Sequence, residues 1–159
     1  MYLKKIISGG QTGADQAGLA AAVELGLETG GFAPYGWRTD EGPNPSLAGY
    51  GLIQLNVSSY PSRTAANISI SDGTVIFVYA EKSIGSRLTE RLCRRAKKPV
   101  LVLDYVNELH RKMYPYRLRK FVIARKIETL NVAGNREKSC PGTYAMVFNV
   151  IMEAFRPLT

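Results

Sequence analysis

One histidine and two cysteines in 159 residues leave little material for the commonest catalytic and metal chemistries. His110 falls in a polar helical stretch away from every expected strand end, where a surface position is favoured over a catalytic base. Cys93 and Cys140 have no CxxC spacing, cannot build a disulfide framework, and form no zinc or iron pattern with neighbouring His or Asp. Cys93 reads as core and Cys140 as a small capping or packing residue in a loop, with contact to a soft metal the less favoured alternative. No Ser–His–Asp set can be assembled at a strand end, and there is no G-x-S-x-G elbow. No catalytic residue and no metal ligand is therefore assigned. No apolar run approaches the roughly 20 residues that span a bilayer. Lys4-Lys5 leads directly into Ile6-Ile7 with no leader pattern, so a reducing cytoplasm is the expected compartment and no membrane partner is expected.

What is present is ordinary globular material: 45% apolar and 21% charged residues, enough for one domain over residues 1–159. The net charge of +8 raises the question of nucleic acid. Residues 91–98 hold five basic side chains and residues 111–126 hold seven, with no acid in either stretch. Both stretches read as helices. In the second, Leu118, Phe121, Val122 and Ile123 leave Arg117, Arg119, Lys120 and Lys126 on the other face. A solvated helix face is favoured over a docking patch, so nucleic acid is not the expected partner.

The most informative stretch is Ser8-Gly9-Gly10-Gln11-Thr12-Gly13-Ala14-Asp15, between Ile6-Ile7 and an alanine-rich segment ending at Gly26. This is a strand, a glycine turn and a helix. The glycines permit a tight turn and close approach of a ligand, and the helix start offers N–H groups and partial positive charge to an anion. Ala14-Asp15 follows Gly13 where a P-loop needs Lys and Ser/Thr, which argues against a Walker-type NTPase. Against G-x-G-x-x-G, Ser8 replaces the first glycine. The acid expected after the second strand is also hard to place, because Glu28 precedes that strand and its end reads Pro34-Tyr35-Gly36-Trp37-Arg38. Arg38 in that position favours a second anionic group over a free ribose diol.

Along the chain, strands are expected at 2–7, 31–33, 74–80, 99–103 and 129–133, and helices at about 15–25, 63–71, 88–96 and 141–155. The last helix is expected to begin on Pro141 with Ser139 or Cys140 as its cap. Ser83-Ile84-Gly85-Ser86 reads as a loop, and residues 34–60 as a long irregular segment whose Tyr35, Trp37, Tyr50 and Tyr60 argue against disorder. Alternation of strands and helices predicts an α/β, three-layer Rossmann-like fold, a mostly parallel sheet with helices on both faces. Ligands of such sheets bind beyond the carboxyl ends of the strands. The loops there, with the polar side of the helix at 63–71, supply the candidate ligand- and phosphate-binding residues. They are Gly9, Gly10, Gln11, Thr12 and Gly13; Arg38; Arg63, Thr64 and Asn67; Ser86 and Thr89; and Asn131, Gly134, Arg136 and Ser139. Trp37 or Tyr35 is placed to stack on a ring. Glu90, near a helix start, is the best-placed carboxylate for any reaction. Asp15, also at a helix start, is as readily explained by the helix dipole.

The glycine loop, Arg63-Thr64-x-x-Asn67, Ser71-Asp72-Gly73-Thr74 and Leu130-Asn131-Val132-Ala133-Gly134-x-Arg136-Glu137 with Pro141-Gly142 together resemble the molybdenum carrier protein family. That family is similar in fold to the Rossmann-like group containing lysine-decarboxylase-like, cytokinin-activating phosphoribohydrolases and DNA-processing protein A. The resemblance implies binding of the molybdenum cofactor (molybdopterin, a pterin with a terminal phosphate) or of a nucleotide-like anion. Gly9 to Gly13 would hold the phosphate, and Arg136 and Ser139 would add contacts. The hydrolase relatives carry P-G-G-x-G-T-x-x-E, which residues 83–90 match poorly. A carrier or binding protein with a small phosphorylated ligand is therefore expected. A nucleoside-monophosphate hydrolase using Glu90 and a basic nucleic-acid-binding domain are the alternatives. Val147, Phe148, Ile151 and Met152 serve a core or a homo-oligomer interface equally well.

Overall fold

The structure, a computed structural model, describes residues 2–79, 84–105 and 108–157. Six strands form one sheet: β1 (Lys5–Ile7), β2 (Glu28–Ala33), β5 (Leu52–Gln54), β6 (Gly73–Val78), β7 (Val100–Asp104) and β8 (Thr129–Gly134). Their order is β5-β2-β1-β8-β6-β7, and every pairing is parallel. A separate two-residue ribbon pairs β3 (Arg38–Thr39) with β4 (Gly42–Pro43). Helices α1 (Ala14–Glu24), α5 (Tyr114–Ala124) and α6 (Thr143–Phe155) pack together, as do α2 (Tyr60–Ser69) and α3 (Ile84–Arg95). With the one-turn helix α4 (Glu108–Arg111) this is the expected three-layer α/β fold.

The central strands explain the layering. All six residues of β6, Gly-Thr-Val-Ile-Phe-Val, are buried, as a parallel strand covered on both faces requires. Helix α1 comes close because it is built from small residues. Ala14, Ala17, Ala21 and Ala22 are buried, and a Cβ on Gly18 would lie 2.9 Å from Val132 of β8. After β1 the chain runs outward to β2 and β5, crosses to β6 and β7, and returns in β8 between β1 and β6. The carboxyl ends of β1 and β8 therefore flank the point where strand order reverses, the position at which such sheets open a crevice.

Several elements depart from the sequence expectation. Strand β2 begins at Glu28, so that glutamate sits at the amino end of the strand, remote from the crevice. The segment from 34 to 60 is ordered by two 3-10 turns (Tyr35–Trp37 and Pro45–Tyr50), the ribbon, and edge strand β5. Helix α3 begins at Ile84, which puts Ser86 in a helix rather than a loop; Ser83, and Ala80 at the expected strand end, lie outside the described residues. Pro141 precedes α6 instead of opening it. The cap position is Gly142 in a left-handed conformation, and neither Ser139 nor Cys140 caps with its side chain. Glu137 does that work, accepting hydrogen bonds from the N–H groups of Gly142 (2.7 Å) and Tyr144 (2.8 Å).

Two clusters make the core. The larger contains Val147, Ile151 and Met152 of α6, with Phe148 packed against it, so these four residues are core. The smaller holds Leu19, Ala33, Leu47 and Leu52, with Trp37 and Tyr50 against it. Ile123 is exposed rather than buried with Leu118 and Val122, while the guanidinium of Arg119 turns back to the carbonyls of Ala154 (2.6 Å) and Glu153 (3.1 Å) at the end of α6. No helix among the described residues is long and apolar enough to cross a membrane.

Candidate functional site

The glycine loop leaves β1 at Ser8 and enters α1 at Ala14, as its sequence requires. Its amides are largely committed within the chain. Gly10 N–H donates to Ser8 Oγ (3.3 Å), Gln11 N–H to Asp15 Oδ2 (3.1 Å), Thr12 N–H to Gln11 Oε1 (3.1 Å) and Ala14 N–H to the Asn135 carbonyl (3.1 Å). Gly13 has φ 80°, and a Cβ there would strike the Asn135 carbonyl. A Cβ on Gly9 would lie 2.7 Å from the Arg63 guanidinium carbon. These two glycines let the loops after β1 and β8, and the start of α2, close on one another.

Asp15 is the buried acid of this junction. Its carboxylate lies at the start of α1, near Arg63 and the Gly9 and Gln11 amides, all of which favour the charged form. Burial outweighs them and holds its pKa above the ordinary value of 3.8. Arg63 is itself buried, with 5% exposure; one Nη reaches the Gly9 carbonyl at 3.4 Å and the guanidinium lies 4.4 Å from the centre of the Tyr60 ring.

Above this floor is a cavity of about 310 Å³ lined by Gln11, Pro34, Arg38, Thr39, Asp40, Ser58, Tyr60, Arg63 and Arg136. Three arginines, from β3, α2 and the loop after β8, thus face one space. None of the three forms an ion pair with a carboxylate among the described residues. A second cavity of about 510 Å³ shares Tyr60 and Arg136 with the first and is otherwise lined by Pro61, Ile84, Gly85, Leu88, Gly134, Asn135 and Ser139. The first chamber is cationic; its neighbour, the apolar chamber, has a wall of Pro61, Ile84 and Leu88 and also a polar wall of Asn135, Arg136 and Ser139.

The candidate residues divide by depth. Gln11, Arg38, Arg63 and Arg136 line the cationic chamber, and Gly134, Arg136 and Ser139 the apolar one. Gly9, Arg63, Thr64, Asn67, Thr89 and Asn131 meet in a crevice of about 20 Å³, room for a water rather than a ligand. Asn67 is spent on structure there, its amide accepting from Phe32 N–H (2.8 Å) and donating to Phe32 C=O (3.0 Å) of β2. Asn131 donates to Thr74 Oγ1 (3.3 Å) and Thr89 to the Gly85 carbonyl (2.9 Å). Ser86 is buried, and with Gly10, Thr12 and Gly13 it lines none of these three spaces.

Neither aromatic residue expected to stack on a ring lines either chamber. Trp37, in a left-handed conformation with φ 57°, packs into the smaller core cluster, and Tyr35 is exposed outside both chambers. Tyr60 is the ring between the chambers. Glu90 lines neither chamber and pairs with Arg94 at 2.9 Å. His110 is exposed on α4 and Cys93 is fully buried. Cys140, partly buried, approaches the Tyr105 hydroxyl at 3.6 Å. No group of three or more His, Cys, Asp or Glu among the described residues is placed to hold a metal ion. Sequence reasoning missed Asp40 outright: Thr39-Asp40-Glu41-Gly42 reads as a turn, and its position in the long segment after β2 was the only signal.

Comparison with known proteins agrees with this architecture. No curated protein matches the chain. A crystal structure from Syntrophus aciditrophicus SB, of a protein described as a "Putative molybdenum carrier protein", superimposes with a TM-score of 0.89 at 33% sequence identity, covering 98% of this chain and 96% of that one. The model of the circularly permutated YpsA SLOG family matches residues 6–155. The sheet order, the glycine loop and the extent of these matches place the chain in one group: it belongs to the circularly permutated YpsA SLOG family.

Proposed function

We propose that this protein binds and carries a small anionic ligand, its phosphate held in the cationic chamber by Arg38, Arg63 and Arg136 and its planar body lying past Tyr60 in the apolar chamber. The observation that carries the reading is Arg63. Its guanidinium has 5% exposure, one long hydrogen bond to the Gly9 carbonyl, the Tyr60 ring beside it and, beyond salt-bridge distance, the Asp15 carboxyl whose charged form burial disfavours; with no carboxylate in direct contact among the described residues, a ligand anion would complete it. The glycine loop is the rigid floor that positions Arg63, and its spent amides leave most of the charge recognition to the arginines.

The phosphorylated pterin of the molybdenum cofactor is one candidate cargo, given the description of the Syntrophus protein; a nucleoside monophosphate offers the same phosphate and a similar flat ring. Phosphate suits three convergent guanidinium groups, and the ring suits walls of Pro61, Ile84 and Leu88 beside Tyr60. Calorimetry with molybdopterin and with nucleoside monophosphates tests the reading. Loss of about tenfold or more in affinity is expected for Arg136→Ala, the scale of one charge-assisted hydrogen bond. Equal affinities would remove Arg136 from the site.

A further inference from the structure

We propose that a third cavity, adjoining the apolar chamber at Ser139, is a separate binding site for a flat aromatic monocarboxylate, its carboxylate on Arg111 and its ring against Tyr79. The site does not rest on the anion-binding reading above. The cavity is about 500 Å³, a volume suited to a small organic ligand. It lies beyond the carboxyl ends of β6 and β7, where Tyr79 is the residue after β6 and Tyr105 the residue after β7. Arg111 of α4, Met146 of α6 and residues 139–142 complete the wall. Among the described residues, Ser139 is the one it shares with the apolar chamber, and it shares none with the cationic chamber.

Charge selects the carboxylate. Arg111 is the only acidic or basic side chain described in that wall. Its Nε donates to the Tyr105 carbonyl at 3.0 Å, and its guanidinium carbon lies 5.8 Å from the centre of the Tyr105 ring. Those contacts fix the head and leave both Nη groups without a hydrogen bond or carboxylate among the described residues. The nearby amides are spent. Gly142 and Tyr144 N–H donate to Glu137, Thr143 N–H to the Cys140 carbonyl (3.2 Å) and Tyr79 N–H to Asn135 Oδ1 (2.9 Å). An anion entering here must therefore take Arg111. One guanidinium balances one negative charge, whereas a phosphate dianion is better served by the three arginines of the cationic chamber. The remaining walls select the ring. Tyr79 is 44% exposed, and its ring centre lies 5.4 Å from that of the buried Tyr105 at a tilt of 47°. The Tyr105 hydroxyl is bonded to Thr143 Oγ1 at 2.8 Å, and burial raises its pKa above the ordinary value of 10, so this floor is neutral and does not repel a carboxylate. The uncovered part of the Tyr79 ring and the Met146 thioether suit a flat, polarizable partner.

The test is calorimetry on the full chain with 2-naphthoate and its neutral analogue 2-naphthamide, joined to amide-shift mapping by NMR. On wild type the acid should bind about tenfold or more tighter than the amide, the difference expected for a hydrogen bond to a charged group. Arg111→Met, which keeps the apolar stem, should bring the two to near-equal affinity. Tyr79→Ala should weaken both by roughly two- to tenfold, the scale of one aromatic pair. Circular dichroism checks that both variants fold. Amide shifts on adding 2-naphthoate to wild type should centre on Tyr79, Arg111, Cys140 and Met146. Shifts centred instead on Gln11 and Asp40, or on Tyr60 and Leu88, would put the ligand in the cationic or the apolar chamber and overturn the inference. Equal wild-type affinities for acid and amide, or no binding of 2-naphthoate, overturn it too, and those comparisons need no variant to fold. Unchanged affinities in a folded Tyr79→Ala would overturn the placement of the ring.

Discussion

Glu137 couples the stability of α6 to the geometry of the cleft, and its replacement by alanine gives a measurable consequence. Helix α6 starts on Gly142, which has no side chain with which to cap, and the two carboxylate oxygens of Glu137 take the Gly142 and Tyr144 amides at 2.7 and 2.8 Å. Losing an N-cap side chain costs roughly 0.5–2 kcal/mol, and a charge at a helix N-terminus contributes about 0.3–1 kcal/mol. The carboxylate is partly exposed, so a value of about 1–2 kcal/mol is expected for Glu137→Ala. In a domain of this size that lowers Tm by roughly 3–6 °C. Glu137→Gln keeps one acceptor and loses the charge, so about half the effect is expected. Urea unfolding followed through the single tryptophan, the partly buried Trp37, measures it, with an unchanged m-value. Amide exchange of residues 136–139 should quicken, because the same contact restrains the loop bearing Arg136 and Ser139. A change within the roughly 0.5 kcal/mol of an ordinary surface substitution would refute the capping role.

Further substitutions probe the floor of the cleft. Asn67→Ala strips the paired amide from Phe32 N–H and C=O and should cost about 2–3 kcal/mol in urea unfolding without changing the fold. Gly9→Ala forces the Arg63 guanidinium aside, so affinity for inorganic phosphate should fall in calorimetry while the circular dichroism spectrum is retained. Asp15 binds a proton more tightly folded than unfolded because burial raises its pKa, so its contribution to stability is largest at low pH. That contribution is lost as pH rises from the ordinary value of 3.8 through the raised folded value. Asp15→Asn removes the term, and the wild-type-minus-variant stability difference should decline with pH across that window; a flat difference would contradict it.

The parts of the fold legible in the sequence are those dictated by local periodicity and composition. Ile6-Ile7 before three glycines, the alanine run of α1, and the apolar run of β6 each announce their state because neighbours in sequence are neighbours in the packing. Strand β5 was hidden because the three residues between Gly51 and Leu55 carry too little pattern. It exists through its register with β2, Gly31 opposite Leu52, and that partner is distant in sequence. The early start of α3 was hidden by Gly85 and Ser86, which read as a loop. Gly85 is needed there because a Cβ would lie 2.8 Å from the Tyr60 hydroxyl of α2.

The site was half legible for a similar reason. Arg63 and Arg136 stood out beside Thr64, Asn67 and Asn131 in motif-like blocks, but whether each faces a cavity, a strand edge or a helix carbonyl depends on packing. Asn67 serves Phe32, Thr89 serves Gly85, and the glycine-loop amides serve Ser8, Gln11, Asp15 and Asn135. Tyr60 enters the cleft because α2 begins two residues before the Ser62-Arg63 pair, and Asp40 because a two-residue ribbon folds back onto Thr12. Neither placement has a periodic signal.

The central claim is that Arg63, Arg38 and Arg136 form an anion site, and phosphorus NMR reads it at the atom concerned. Adenosine 5′-monophosphate titrated with wild type should show a saturable shift or broadening of its phosphorus resonance. Under the same conditions Arg63→Met, which keeps the length and apolar stem of the side chain, should leave that resonance close to its position without protein. Identical saturation curves for the two proteins, both folded by circular dichroism, would contradict the claim.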